Sequence, residues 1–471
     1  MKELIKRVAL ILTMAGSSSV WADDAALRYF HDKAAYDKMQ QAEVFFLAKD
    51  YAHALPIYQQ IANTGNRIAE YMLAYFYQHG YGIDKDDLMA NAWYLKAMQQ
   101  GMPQASYALG AMYFTSVDTS QAIPYFKQGA QEGEPHALYM IGYLYMSGSS
   151  VQQNYPLAAT FFDKASQGGV SEGSYNLGYM YAKGLGVTKD ATKALQYFSL
   201  AAQQGSGKGS NMVGVYYGTG MDGIPVDKTK AFANFTAAAQ SGSGLGEYNL
   251  GVMYYNGWGT TTPDQKTALS WISKAADQGV LKAQYLQGYL AYNGIGQTKD
   301  AAQAVDLYQK AADQGSADAQ FAAATLYHNG EGTAKDDAKA LSLYVAAAKQ
   351  GNVMAQYMTG VFYQQGLGII PDKATAATWF DKAAEMGNDS AQLALASMYT
   401  NGDGVAQNDK MAYVWLSLAS TSSNAGIHST ASDARDTLAK IMKPADLEAA
   451  KAMATQYYNK IAANVAQSKI H

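Results

Sequence analysis

The chain has 471 residues, of which 49% are apolar, 44 are Gly, 37 are Tyr and none is Cys, and its formal net charge is −4. Without Cys there is no disulfide framework, thiolate metal site or cysteine nucleophile, and the apolar content excludes wholesale disorder. A mildly acidic chain with no basic block lacks the clustered Lys and Arg that displace counterions from nucleic acid, so no nucleic-acid partner is expected.

Residues 1–22 read as a secretory signal: a basic start (Lys2, Lys6, Arg7), an apolar run over residues 8–16, and a small-residue end at Val20-Trp21-Ala22. Small side chains at the third and first positions before Asp23 fit a signal peptidase pocket, so cleavage is predicted after Ala22. The apolar run is far shorter than the roughly 20 residues a membrane span needs, and no later segment is longer and as apolar. The mature chain is therefore expected to be periplasmic or secreted, without a membrane span, and with a net charge of about −6 once Lys2, Lys6, Arg7 and Glu3 are gone. Residues 23–65 follow as an N-terminal helical cap, in which Phe45, Phe46, Tyr51, Ala54 and Tyr58 predict one hairpin turning at residues 49–51.

Beyond the cap the sequence is periodic. A Gly recurs at positions 65, 101, 133, 169, 205, 242, 279, 315, 351 and 387, mostly 36 residues apart. Each unit has two halves with helical spacing, such as Gly246-x3-Leu250-Gly251-x2-Tyr254 and then Ala268-x2-Trp271-Ile272-x2-Ala275. Between the halves lies a Gly-x-Gly loop: Gly80/Gly82, Gly184/Gly186, Gly257/Gly259, Gly294/Gly296, Gly330/Gly332, Gly366/Gly368 and Gly402/Gly404. Gly adopts left-handed backbone angles without steric cost, so one Gly can close a helix and the other can turn the chain. Four residues before the leading Ala of each second half stands Asp or Asn: Asp86, Asp118, Asn154, Asp190, Asp227, Asp264, Asp300, Asp336, Asp372 and Asn408. These side chains suit helix N-caps, worth about 1 kcal/mol each. Metal ligation is the poorer account, because one carboxylate per repeat, on the order of 10 Å from the next, does not make a site.

The pattern Ala-x3-Leu-Gly-x2-Tyr-x2-Gly-x-Gly, then Asp-x2-Lys-Ala-x2-Trp/Tyr-Phe/Tyr-x2-Ala-Ala-x-Gln-Gly, resembles the Sel-one-like repeat (SLR), a relative of the tetratricopeptide repeat. Ten units over residues 66–422 carry it, and residues 41–65 resemble one tetratricopeptide hairpin. The resemblance implies an all-α fold, an α-solenoid of stacked helical hairpins in a right-handed superhelix, serving protein–protein interaction. Three units depart from the pattern. Residues 102–133 are four short and have Thr115-Ser116-Val117 in place of the glycine loop, the next unit has only Gly148-Ser149-Ser150, and Gly220-Met221-Asp222-Gly223 carries one extra residue. Superhelix pitch is least regular there. Residues 423–471, with Pro444-Ala445-Asp446-Leu447 opening a last helix, read as C-terminal capping helices, because solenoids need polar ends.

Chemistry is sparse. Gly169-Val170-Ser171-Glu172-Gly173 spells a nucleophile elbow, but a helix enters it where that elbow needs a strand, so Ser171 is assigned to the start, and capping, of the next helix. Gly218-Thr219-Gly220-Met221-Asp222-Gly223 spells a dinucleotide loop, yet it also follows a helix. No two His stand four apart, and Ser-x-x-Lys is absent. No catalytic residue, metal or cofactor is assigned, and the chain is read as a non-enzyme.

The excess of Tyr points to binding. Counted from the leading small residue of each first helix, positions 2, 6 and 9 form a face separate from the core positions. That face holds Tyr71, Tyr75, Tyr107, Tyr139, Tyr143, Tyr175, Tyr179, Tyr248, Tyr255, Tyr285, Tyr289, Tyr292 and Tyr357. If first helices line the concave surface, these rings form an aromatic groove for a protein or peptide partner, Tyr offering a rigid apolar face with a polar tip. Inter-helix packing competes with binding as the role of position 2, whereas positions 6 and 9 are open to either. The expected function is an exported, non-enzymatic interaction scaffold in the bacterial envelope or toward a host. A module binding cell-wall glycan or polysaccharide is the alternative, and a hydrolase the third reading.

Overall fold

The computed structural model describes residues 33–114, 119–259 and 262–468. The signal segment and the capping position of Asp118 lie outside them, as does the Thr115-Ser116-Val117 loop. Among the described residues there are 24 α-helices, two 3-10 turns and no strand, so the expected all-α array of helical hairpins is what forms. The chain divides into two compact units, residues 1–246 and 247–471.

One repeat shows why the hairpin forms. Asn352 caps the first helix, Val353–Gln365, its side chain accepting the Ala355 N–H at 2.9 Å. Gly366 ends that helix at φ 73°, donating its N–H to the Phe362 carbonyl, a geometry that would strain any residue with a Cβ. Asp372 then caps Lys373–Glu385 through the Thr375 N–H at 2.9 Å. Asp86, Asn154, Asp190, Asp227, Asp264, Asp300, Asp336 and Asn408 cap in the same way.

The two helices approach closely because a small residue on the first faces a ring on the second. A Cβ on Gly360 would sit 2.6 Å from Phe380 Cδ1, and on Gly178 2.9 Å from Phe198 Cδ1. Phe380 and Phe198 are fully buried as a result. The second loop glycine works between repeats. At φ 73° Gly332 runs against the backbone of Ala301, at the start of the preceding second helix, leaving no room for a side chain. Where Ser150 replaces the second loop glycine it adopts φ 60° itself, and in the expanded loop Asp222 adopts φ 53° and pairs with Lys189 at 2.7 Å.

Among the described residues the first unit begins with helices Lys33–Leu47 and Tyr51–Ala62, joined through Lys49 at φ 60°, with Asp50 as the N-cap of the second. Ser171 corrects one expectation. It is the first residue of helix Ser171–Lys183 rather than its cap, a position held by Val170 with no side-chain bond. In the second unit the last two helices are Ala425–Ile441 and Pro444–Ser468. Trp415 of the final repeat is fully buried beneath them, its ring 5.2 Å from that of Tyr457.

Candidate partner-binding face

The tyrosine positions separate by depth. At position 2 four rings lean on the aromatic residue of their own second helix: Tyr139 on Phe162 at 5.8 Å, Tyr175 on Phe198 at 5.5 Å, Tyr285 on Tyr308 at 5.6 Å and Tyr357 on Phe380 at 5.8 Å. Tyr107 does the same with Phe126 at 6.1 Å. Burial raises the phenol pKa of Tyr107, Tyr139, Tyr175 and Tyr285, and likewise of Tyr248. Tyr71 leaves the groove altogether. It is only 4% exposed and 5.3 Å from the Tyr94 ring, so its position 2 is spent on the core.

Position 6 is different. Tyr143, Tyr179 and Tyr289 are 37%, 40% and 38% exposed, each one helical turn from a position-2 ring that is anchored. Tyr75, at the same position, is instead drawn into an N-terminal aromatic cluster, 4.0 Å from the His79 ring and 6.1 Å from Phe46. At position 9, burial together with Tyr289 raises the Tyr255 phenol. Tyr292 donates to Glu331 Oε2 at 2.5 Å, a bond that raises the Tyr292 phenol and lowers the Glu331 carboxyl. Lys299 lies 4.8 Å over the Tyr292 ring. Of the four tyrosines Tyr255, Tyr285, Tyr289 and Tyr292 in the second unit, only Tyr289 is exposed, and the other three are half-buried.

Sequence reading missed a carboxylate beside this face. Asp318, on the following first helix, adds to burial in raising the Tyr285 phenol. In the first unit Glu172 does the same for Tyr139. Both sit 33 residues after their Tyr, a spacing that was available in the sequence but meaningless before the helices were stacked.

Reactive groupings are few. Among the described residues no cluster of three or more His, Cys, Asp or Glu could hold a metal ion. His328 Nδ1 bonds Asp337 Oδ1 at 2.6 Å, and His53 and His136 bond Asp50 and Glu134. None of these acid–histidine pairs is hydrogen-bonded onward from the His ring to a hydroxyl among the described residues.

Comparison with known proteins agrees with this architecture. The family model for the Sel1 repeat matches residues 67–102, 103–134, 135–170, 171–206, 208–243, 244–280, 281–316, 317–352, 353–388 and 389–424. A protective antigen present in uropathogenic Escherichia coli strains, displaying an SLR fold, is 29% identical over 88% of this chain and 97% of its own, with a TM-score of 0.56. A Sel1 repeat protein from Oxalobacter formigenes is 30% identical over 65% of this chain and 90% of its own, with a TM-score of 0.53. A search of curated proteins finds no match. With ten consecutive repeats matched from residue 67 to residue 424, the chain belongs to the Sel1 repeat family.

Proposed function

We propose that this chain is an exported, non-enzymatic scaffold whose first-helix tyrosines hold a protein partner, in the bacterial envelope or toward a host. Sel1 repeat proteins are generally protein-interaction scaffolds. The observation that carries the finer reading is the contrast between positions 2 and 6. Rings at position 2 are committed to packing, while Tyr143, Tyr179 and Tyr289 remain exposed on rigid helices where a partner can reach them. Large rings held in place lose little entropy on binding, which suits hot-spot contacts. The signal-like residues 1–22 support export, as does the description of a similar protein as a protective antigen, since an antigen must be met by its host.

Two measurements test this. N-terminal sequencing of the protein from its native host is expected to begin at Asp23. Cross-linked capture from the native envelope is expected to yield a partner that is lost when Tyr143, Tyr179 and Tyr289 are all changed to Ala. Capture of the same set at unchanged yield by the triple variant would sink the proposal, and saturable binding of isolated wall glycan with no protein captured would favour the polysaccharide reading instead.

A further inference from the structure

The second loop glycine makes the same joint in several repeats, but the side chains that close the joint differ. In the second unit Gly404 runs against the backbone of Lys373, and Asp403 beside it bonds the Lys373 ammonium at 2.9 Å. The N-terminal cap meets the first repeat through this joint with aromatic chemistry instead. A Cβ on Gly82 would sit 3.1 Å from the Tyr51 carbonyl oxygen, and Tyr81 lays its ring flat on that of Tyr51, with centroids 4.3 Å apart and planes 6° apart. Phe46 and Phe76 stand against both rings at distances between 5.8 and 6.2 Å, so neither ring is free to swing away.

Two other tyrosine pairs are as parallel but more widely spaced: Tyr113 with Tyr125 at 5.2 Å and Tyr181 with Tyr197 at 5.6 Å. Each of these lies within one hairpin and has a hydroxyl already engaged, Tyr113 accepting from Asn91 at 2.9 Å and Tyr197 donating to Asp163 at 3.1 Å. Tyr51 and Tyr81 are 30 residues apart and join two separate hairpins, and both are half-buried, open to solvent along part of the ring. The chain has no Cys, so no disulfide can hold its cap in place.

We propose that Tyr51 and Tyr81 form an oxidative cross-linking site, coupled by a haem peroxidase and hydrogen peroxide into a dityrosine that staples the cap to the first repeat. Each phenol gives up one electron and one proton, leaving a radical with spin on the carbons ortho to oxygen. A bond then forms between one ortho carbon of each ring, and the hydrogens on those carbons move to the oxygens to restore both phenols. Hydrogen peroxide takes up the two electrons and two protons and becomes two waters. A radical on an exposed ring such as Tyr458 has no partner against it in dilute solution, whereas at Tyr51 the partner is already in contact. The new bond closes a loop over residues 51–81 and so restricts the opened state of the cap.

The test treats the full chain, dilute, with a haem peroxidase and limiting hydrogen peroxide, and follows dityrosine fluorescence. After trypsin, the peptides of residues 50–67 and 68–85 are expected to remain joined with the loss of two hydrogens, fragment spectra placing the link at Tyr51 and Tyr81. Tyr81→Phe and Tyr51→Phe keep a stacked ring that cannot couple, and each is expected to lower the dityrosine yield at least about 5-fold. Tyr125→Phe is expected to leave it unaltered. In the linked chain, hydrogen exchange in helices Lys33–Leu47 and Tyr51–Ala62 should slow at least about 10-fold. An undiminished yield in Tyr81→Phe overturns the inference, as does a main product linking Tyr113 to Tyr125 or linking separate chains. Exchange left unchanged by the link would overturn the stapling.

Discussion

Gln350 donates through Nε2 to the Oε1 of Gln320 at 2.8 Å, and Gln320 donates through its own Nε2 to the Ala312 carbonyl at 3.2 Å. Gln350 caps the end of a second helix, Gln320 lies on the first helix of the same repeat, and Ala312 belongs to the repeat before. A single buried amide therefore ties three helices together. Gln284, Gln356 and Gln392 reach back to Ala276, Ala348 and Ala384 in the same way. Gln320→Leu would remove both bonds but leave the Ala312 carbonyl its bond from the Gly315 N–H and the exposed Gln350 amide to water, and is expected to cost about 1 kcal/mol. Hydrogen exchange should speed up in helices Ala301–Asp313 and Asp337–Lys349, because repeat stability is set by nearest-neighbour interfaces. Gln350→Ala keeps the Ala312 bond and should cost less.

Two repeats place a carboxyl, Glu70 and Glu247, at the position held by Gln284, Gln320, Gln356 and Gln392 in the last four. Glu70 accepts the Gln100 amide at 2.6 Å, and burial raises its carboxyl against the opposing pull of Lys96. Nearby in the same unit, burial pushes the Glu43 carboxyl up to about 7. A raised carboxyl binds more protons in the native chain than in the unfolded one, so its stabilising contribution is complete below about 4.5 and is lost as pH rises through the native value. Unfolding of the first unit, followed between pH 5 and pH 8, is expected to become easier by about 2 kcal/mol across that window. The double variant Glu43→Gln and Glu70→Gln should flatten the slope and be the more stable protein at pH 8. A slope unchanged in the variant would contradict the assignment.

The two kinds of loop and end glycine separate conformation from crowding. Gly315 and Gly332 both have positive φ, 91° and 73°, but a Cβ on Gly315 would meet nothing, whereas one on Gly332 would collide with the backbone of Ala301. Gly315→Ala should therefore cost about 1 kcal/mol, the price of left-handed backbone alone. Gly332→Ala adds an inter-repeat clash and should cost at least about 3 kcal/mol, read by urea unfolding. Equal costs would mean that the loop yields.

These examples also mark what could be read before the structure. Gly366 and Asp372 act locally, each through a backbone group within four residues, so their period alone disclosed the hairpins. The Gln320–Gln350 link and the Asp318 carboxylate beside Tyr285 act between residues 30 and 33 positions apart. Their periodicity is plain in the sequence, but its meaning depends on which helix faces are opposed. Tyr71 was misplaced for the same reason, since position 2 shares a face with position 6 on an isolated helix and only stacking buries one of them.

The division of the tyrosines predicts opposite phenotypes one turn apart. Tyr175 leans on Phe198, so Tyr175→Ala should remove about 3 kcal/mol of stability. Tyr179 is 40% exposed, and Tyr179→Ala should change stability by less than about 0.5 kcal/mol while weakening partner capture. Thermal unfolding and capture measured on both variants check the pair. A large stability loss from Tyr179→Ala would return position 6 to packing.

The last helix is expected to be indispensable to the end of the array. Lys460 pairs with Glu385 Oε1 at 2.5 Å, and Asn464 donates to the Glu385 carbonyl at 3.1 Å. A Cβ on Gly387 would meet Val465 and Ile461, whereas the corresponding Gly279, Gly315 and Gly351 face open space. Helix Pro444–Ser468 therefore covers the turn of one repeat as well as Trp415 of the next. A chain ending at residue 443 would expose Trp415 and should lose about 3 kcal/mol or more from its final repeats. Tryptophan emission should shift to the red, and the shift should vanish when Trp415→Phe is combined with the truncation. Lys460→Ala alone removes only a half-exposed ion pair, so its cost should stay below about 1 kcal/mol. If the truncated chain kept Trp415 dark to solvent, the helix would be an appendage rather than the cover of the array.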